Sequence, residues 1–155
     1  MGKKKKIKVI ISMIGLDDHN VGGVVVSSIL RNAGIEVVYL GTYQTPEMIV
    51  QAAIQEDADA IGISSHASNY RQIEEMIDLL RKKKMDDVLV VCGGTIPKKQ
   101  ISRLKGKGVA EVFTPQSSSE SIVNYIVSNA RGASTDQTRK NQNLLTGRQP
   151  GAKLV

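Results

Sequence analysis

Five short runs of β-branched and apolar residues recur along the chain, each separated from the next by a stretch with helical spacing. The runs are Ile7 to Met13, Ile35 to Leu40, Ala60 to Ser64, Val88 to Cys92 and Ala110 to Phe113. Near-continuous apolarity over four to seven residues marks strands covered on both faces. After the first run, Val21, Val25, Ile29 and Ala33 repeat at helical spacing, and Asn32-Ala33-Gly34 supplies a stop. A second helix opens at Pro46, with Glu47 beside it, and continues through Met48, Ala52 and Ile54 to about Asp57. The third presents Ile73, Met76, Ile77 and Leu80 on one face and ends in Arg81-Lys82-Lys83-Lys84, cations suited to the negative end of a helix dipole. A short helix follows Pro97 and ends around Gly106 to Gly108. The last starts at Ser117-x-x-Glu120, a capping-box pattern, with Ile122, Val123, Ile126 and Val127 as its apolar face.

Strand and helix in strict alternation predict an α/β fold with helices on both faces of a parallel sheet. Right-handed crossovers leave few orders, and for five strands the expected one is 2-1-3-4-5, the doubly wound flavodoxin-like (Rossmann-like) arrangement. Ligands of such sheets bind beyond the carboxyl ends of the strands, where the order reverses between strands one and three. Three informative stretches fall at that edge. They are Gly15-Leu16-Asp17-Asp18-His19-Asn20-Val21-Gly22-Gly23, Ser64-Ser65-His66 and Gly93-Gly94.

The length of 155 residues favours one domain. Residues 7–130 are expected to form it, preceded by a basic extension over 1–6 and followed by a polar tail over 131–155, expected to be disordered or to dock. The net charge of +6 suggests nucleic acid until it is located. Five lysines lie within residues 1–8 and five Lys or Arg in the tail from Arg131 on, whereas Val9 to Ser128 carries 11 basic and 14 acidic residues. The folded body is therefore mildly acidic, and with 3% aromatic residues it has no stacking platform for single strands, so no nucleic-acid partner is expected. No apolar run approaches the roughly 18 residues of a membrane span. A single cysteine, Cys92, excludes a disulfide framework, fits a reducing cytoplasm and reads as a small buried hydrophobe on a strand.

Familiar α/β chemistries are excluded by motif. There is no Gly-x-Gly-x-x-Gly after the first strand and no Gly-x-x-x-x-Gly-Lys-Ser/Thr. A phosphorylation receiver needs an aspartate ending strand three, where this chain has Ser64. His19 lies in an extended loop rather than on an apolar helix face. There a neutral imidazole can ligate a metal through one nitrogen while the other donates to a carboxylate, with Asp17 the candidate acceptor and Asp18 the alternative. One histidine, even with His66 as a second candidate, cannot complete a protein-only zinc site. A lone histidine ligand suggests a metal already held by a macrocycle, and the absence of Cys-x-x-Cys-His argues against covalent haem. Gly22 and Gly23 serve turn geometry, close approach of a large planar group, or both. The serine cluster before the last helix reads as capping, with contact to an anionic ligand as the alternative.

Asp17-x-His19-x-x-Gly22, a serine ending strand three and Gly93-Gly94 resemble the signature of cobalamin-binding domains that hold the cofactor base-off. The likeness runs from about Ile7 to Ile126. Gln44-Thr45-Pro46-Glu47, Cys92-Gly93-Gly94-x-Ile96-Pro97 and Val112-Phe113-x-Pro115 are similar to the acyl-CoA mutase branch, as in the C-terminal domain of methylmalonyl-CoA mutase. The resemblance implies that His19 coordinates cobalt as lower axial ligand and that Asp17 hydrogen-bonds His19. It implies that Gly22 and Gly23 admit the corrin edge, and that the nucleotide tail runs beside the sheet between the first and third strands. Ser64, Ser65, His66, Gly93, Gly94 and Thr114 are implied as further cofactor contacts. Two positions depart from the family pattern: His66 stands where leucine is usual, and Asp18 where the mutase branch has glycine.

The function implied is the cobalamin-binding small subunit of an adenosylcobalamin-dependent carbon-skeleton mutase, an isomerase of the acyl-CoA type, with cobalamin as cofactor. A substrate barrel needs about 200 residues or more, so a separate large TIM-barrel subunit is the expected partner. The alternatives are a corrinoid carrier for methyl transfer or a cobalamin sensor, which usually carry a helical domain ahead of the first strand, and a flavodoxin-like domain without its cofactor.

Overall fold

A computed structural model describes residues 6–66 and 69–132. The expected basic extension and polar tail lie mostly outside the described residues. The element order is β1 (Lys8–Ser12), α1 (Val21–Asn32), β2 (Glu36–Gly41), α2 (Pro46–Glu56), β3 (Ala60–Ser65), α3 (Tyr70–Lys82), β4 (Leu89–Gly94), α4 (Lys98–Lys107), β5 (Glu111–Phe113) and α5 (Ser119–Asn129). All pairings are parallel and the sheet order is β2-β1-β3-β4-β5, as the alternation predicts. Among the described residues no helix is long and apolar enough to cross a membrane.

Alternate residues of each strand face opposite layers. Ile10, Ile61, Ile63, Val90 and Cys92 pack with Ile49, Val50 and Ala53 of α2, Ile73, Met76, Ile77 and Leu80 of α3, and Leu104 of α4. Val9, Ile11 and Ala60 form a smaller cluster on the other face with Leu30 of α1 and Ile126 of α5. The α3 face is the one its spacing predicts. Cys92 is buried, and burial pushes its thiol up to about 12, which removes thiolate chemistry at neutral pH.

Local chemistry sets the helix ends. Thr45 caps α2 by accepting Met48 N–H at 3.1 Å, and Pro46 occupies the first turn, where its missing N–H costs nothing. At α5 the cap is Ser118, whose Oγ accepts Ser121 N–H at 3.1 Å, so the expected Ser117–Glu120 box is displaced by one residue. Ser118 is the residue with extended backbone (ψ 153°), which a cap requires. Strand β4 does not stop before its glycines. Gly93 and Gly94 pair with Ser64 and Ser65, so both strands reach the carboxyl edge together.

The apolar stripe of α1 lies mostly outside the core. Val21 is 73% exposed and Val25 51%, whereas Gly23, Ser27 and Leu30 are the buried residues of α1. Helical spacing locates an apolar stripe without saying what it faces. Here the small residues dock on the sheet and the valines look outward.

Ile61 is wholly buried in the central strand. Ile61→Ala is expected to lower unfolding free energy by about 2–5 kcal/mol, whereas Val21→Ala should change it by less than about 0.5 kcal/mol. Urea denaturation of both variants checks this, and equal losses would contradict the assigned α1 orientation.

Candidate functional site

The loop after β1 is tied to its neighbours by backbone bonds. Met13 N–H reaches Gly41 O at 3.1 Å and Gly15 N–H reaches Gln44 O at 2.8 Å. From the β3 side, Asn69 Nδ2 donates to Ile14 O and Asn69 Oδ1 accepts from Ser65 Oγ at 2.7 Å. Within this frame Asp17 is only 1% exposed. Its Oδ1 accepts the His19 backbone N–H at 3.0 Å and lies 2.9 Å from His19 Nδ1, while Oδ2 accepts the His66 N–H at 3.0 Å. Burial pushes the Asp17 carboxyl upward, but the hydrogen bonds from His19 and His66 outweigh it and hold the group below the ordinary aspartate value.

An ionised acceptor at 2.9 Å places the imidazole hydrogen on Nδ1 and leaves the lone pair on Nε2. The His19 side chain is 63% exposed, so that lone pair is accessible. Asp18, with a side chain 70% exposed and its Oδ1 3.7 Å from Nδ1, is the weaker partner, and Asp17 sets the ring. Asp17, Asp18 and His19 have ligand atoms within 4.8 Å of one another. Both Asp17 oxygens, however, are already engaged by N–H donors.

Beside this rim a cleft of about 390 Å³ opens between α1 and α5 over the sheet. Ile11, Gly62 and Val91 are register partners across β1, β3 and β4 and form one row of its floor; Ser64, Gly93 and Phe113 form the next row toward the carboxyl edge. Val25, Val26 and Ile29 of α1 face Ile122 and Ile126 of α5 across it. The outward valine stripe thus includes one wall of the cleft. Two glycines set the upper end. At Gly94 (φ +114°) a Cβ would fall 2.3 Å from Ser65 O, and at Gly22 one would fall 3.3 Å from Ser64 Oγ. A side chain at the first is excluded, and at the second it would crowd the contact between α1 and β3.

Of the residues named from sequence, Gly22, Gly23, Ser64, His66, Gly93, Gly94 and Thr114 line the cleft. Asp17 and His19 stand at its rim. Ser65 does not join them: its buried side chain turns to the opposite face, toward Asn69, and only its carbonyl abuts Gly94. The sequence reading missed Val25, Val26, Ile29, Ile122 and Gly62 as lining residues. A glycine inside β3 was the available signal, since it marks close approach of another group.

Residues 7–123 match the family model described as B12 binding domain. Over 122 residues the chain is 38% identical to the pivalyl-CoA mutase small subunit of Xanthobacter autotrophicus, covering 79% of this chain and 82% of that one. It is 35% identical over 130 residues to the 2-hydroxyisobutanoyl-CoA mutase small subunit of Aquincola tertiaricarbonis, covering 82% and 96%. With methylmalonyl-CoA mutase of Rhizobium meliloti it shares 36% identity over 111 residues, 71% of this chain but 16% of that much longer protein. In fold it is similar to a cobalamin-binding protein from Desulfitobacterium hafniense, with a TM-score of 0.64 and 21% identity over 70% of this chain and 53% of the other.

The lowered Asp17 carboxyl gives the stability a definite pH dependence. Its contribution is full above the ordinary aspartate pKa of about 4 and is lost as pH falls through the lower folded value. Asp17→Asn is therefore expected to cost about 1–3 kcal/mol at pH 7, with the gap to wild type narrowing below about pH 4. Urea unfolding at pH 7 and pH 3 measures both, and a gap unchanged at pH 3 would assign the stabilisation to shape rather than charge.

Proposed function

The chain belongs to the B12-binding domain family, and from that membership we propose that it is the cobalamin-binding small subunit of an adenosylcobalamin-dependent acyl-CoA mutase, with His19 as lower axial ligand of cobalt. The observation that carries the mutase assignment is coverage. The chain spans 82% and 96% of two proteins that are themselves small subunits of CoA mutases, and subunits so named imply a larger catalytic partner.

The site fits the cofactor. A corrin holds its metal through four ring nitrogens, so the protein needs to supply one donor, and His19 Nε2 is one accessible donor with its tautomer set from behind. The nucleotide tail needs a slot beside that donor, and the cleft between α1 and α5 is apolar and adjoins the His19 rim. Gly22 and Gly23 would admit the macrocycle edge, Gly62 and Gly93 the tail, and Ser64 and Thr114 would contact the tail's polar part.

When bound, adenosylcobalamin supplies a weak cobalt–carbon bond from which the radical that starts the rearrangement is generated. This chain's residues bind and orient. Asp17 keeps the His19 hydrogen on Nδ1, so Nε2 is presented unprotonated, and the apolar cleft walls keep water from the buried part of the tail. Substrate contacts belong to the large subunit, for which a TIM barrel is the proposed architecture.

Adenosylcobalamin added to wild type is expected to give the absorption spectrum of histidine-ligated, base-off cofactor, and His19→Ala to abolish it. Asp17→Ala should weaken binding about 10–100-fold. Identical spectra for wild type and His19→Ala, with benzimidazole still on cobalt, would remove the axial-ligand assignment. The chain alone is expected to show no acyl-CoA isomerisation and to gain it when reconstituted with its large subunit. Co-purification with a methyltransferase instead would favour a corrinoid carrier.

A further inference from the structure

His66 replaces the leucine of the family pattern, and its surroundings give the exchange a chemical meaning. Just past β3 its backbone N–H is held by Asp17 Oδ2 at 3.0 Å. One carboxylate thus fixes the ring of His19 and the backbone of His66 without engaging the His66 ring. That ring lies at the upper end of the cleft. Its Nε2 is 3.4 Å from Ser64 Oγ, and Cβ atoms at Gly22 and Gly94 would fall 3.5 and 3.1 Å from it. The nitrogen therefore sits where the first turn of α1 and the ends of β3 and β4 converge. Among the described residues lining the cleft there is no Asp, Glu, Lys or Arg, and His66 is the one with a side-chain nitrogen.

A cobalamin tail joins corrin to base through a phosphodiester, an anion at neutral pH. Drawing it toward an apolar cleft without a donor is costly. We propose that His66 Nε2, together with the Ser64 hydroxyl, hydrogen-bonds the tail phosphodiester at the mouth of the cleft. This rests on the cobalamin reading above. A phosphate oxygen arriving there is met by a ring hydrogen on Nε2, and that N–H and the Ser64 O–H both donate to it as charge-assisted bonds. Gly22 and Gly94, lacking Cβ atoms, leave the ring the space to meet it. His19 and His66 thereby divide the work: one holds the metal, the other the tail, and Asp17 sets the spacing between them.

The test compares cobalamin with cobinamide, which keeps the corrin and cobalt but lacks the phosphodiester, ribose and base. Affinities of the full chain for both are measured by absorption titration for wild type, His66→Leu and His66→Gln. His66→Leu keeps the packing volume and removes the donor; it is expected to weaken cobalamin about 10-fold or more and to change cobinamide by less than about 2-fold. His66→Gln, whose amide N–H reaches a similar point, should recover most of the loss. Unchanged cobalamin affinity in His66→Leu would overturn the proposal. So would equal losses for both ligands, which would mean that the ring acts through His19, and so would His66→Gln behaving like His66→Leu. A wild type that binds neither ligand would instead remove the cobalamin reading along with it.

Discussion

A carboxylate is among the most expensive groups to take out of water, and Asp17 is buried beneath a loop whose other polar residues are exposed. It stays ionised because N–H donors converge on it from two directions, His19 after β1 and His66 after β3. That requirement reaches beyond the loop. The ends of two adjacent strands must come to one level, and Asn69 makes the same link a second time by joining Ser65 Oγ to Ile14 O. The rim beside the cleft is thus held by polar cross-links between the ends of β1 and β3, above the packing of Met13 and Ile14.

The two faces of the sheet are unequal for a related reason. The α2–α3–α4 face is filled by large aliphatic side chains throughout. On the α1–α5 face, Gly93 sits between Ser64 and Phe113 and leaves the floor without a side chain there, while Ile11 Cδ1 covers the place a Gly62 side chain would take. An apolar void in a layer is destabilising, and a ligand that fills it returns the missing contacts as binding free energy. The exposed valines of α1 follow from the same arrangement. Val25 is apolar toward the cleft wall and is not a misplaced core residue.

Much of this was legible in the residues. The five runs, the strand order, the α3 face and the Pro46 start all rest on local patterns that tertiary structure did not override. The His19–Asp17 pairing was readable because two residues of spacing in a loop suffice to bring ring and carboxylate together. Three things were not readable. What the α1 stripe faces is one, because periodicity reports apolarity and not its partner. The end of β4 was set too early because glycines read as breakers, whereas pairing of Gly93 and Gly94 with β3 carries the ladder through them. The His66 backbone bond to Asp17 spans 49 residues, and no local spacing encodes it.

The same carboxylate decides what kind of metal the rim can take. Asp17, Asp18 and His19 are close enough to be drawn around a bare cation, but the ring atom facing the two carboxylates is Nδ1, which the Asp17 bond protonates. To close on an ion between them, the ring would have to shed that hydrogen and Asp17 would have to release N–H groups that hold β1 and β3 together. Ligation through Nε2 on the outer side demands neither. It offers a single donor, too few for a free divalent ion, which takes three or four protein ligands, and sufficient for a metal whose other positions are already filled. The constraint that disfavours a bare cation at this rim leaves Nε2 accessible to the macrocycle-held metal proposed above.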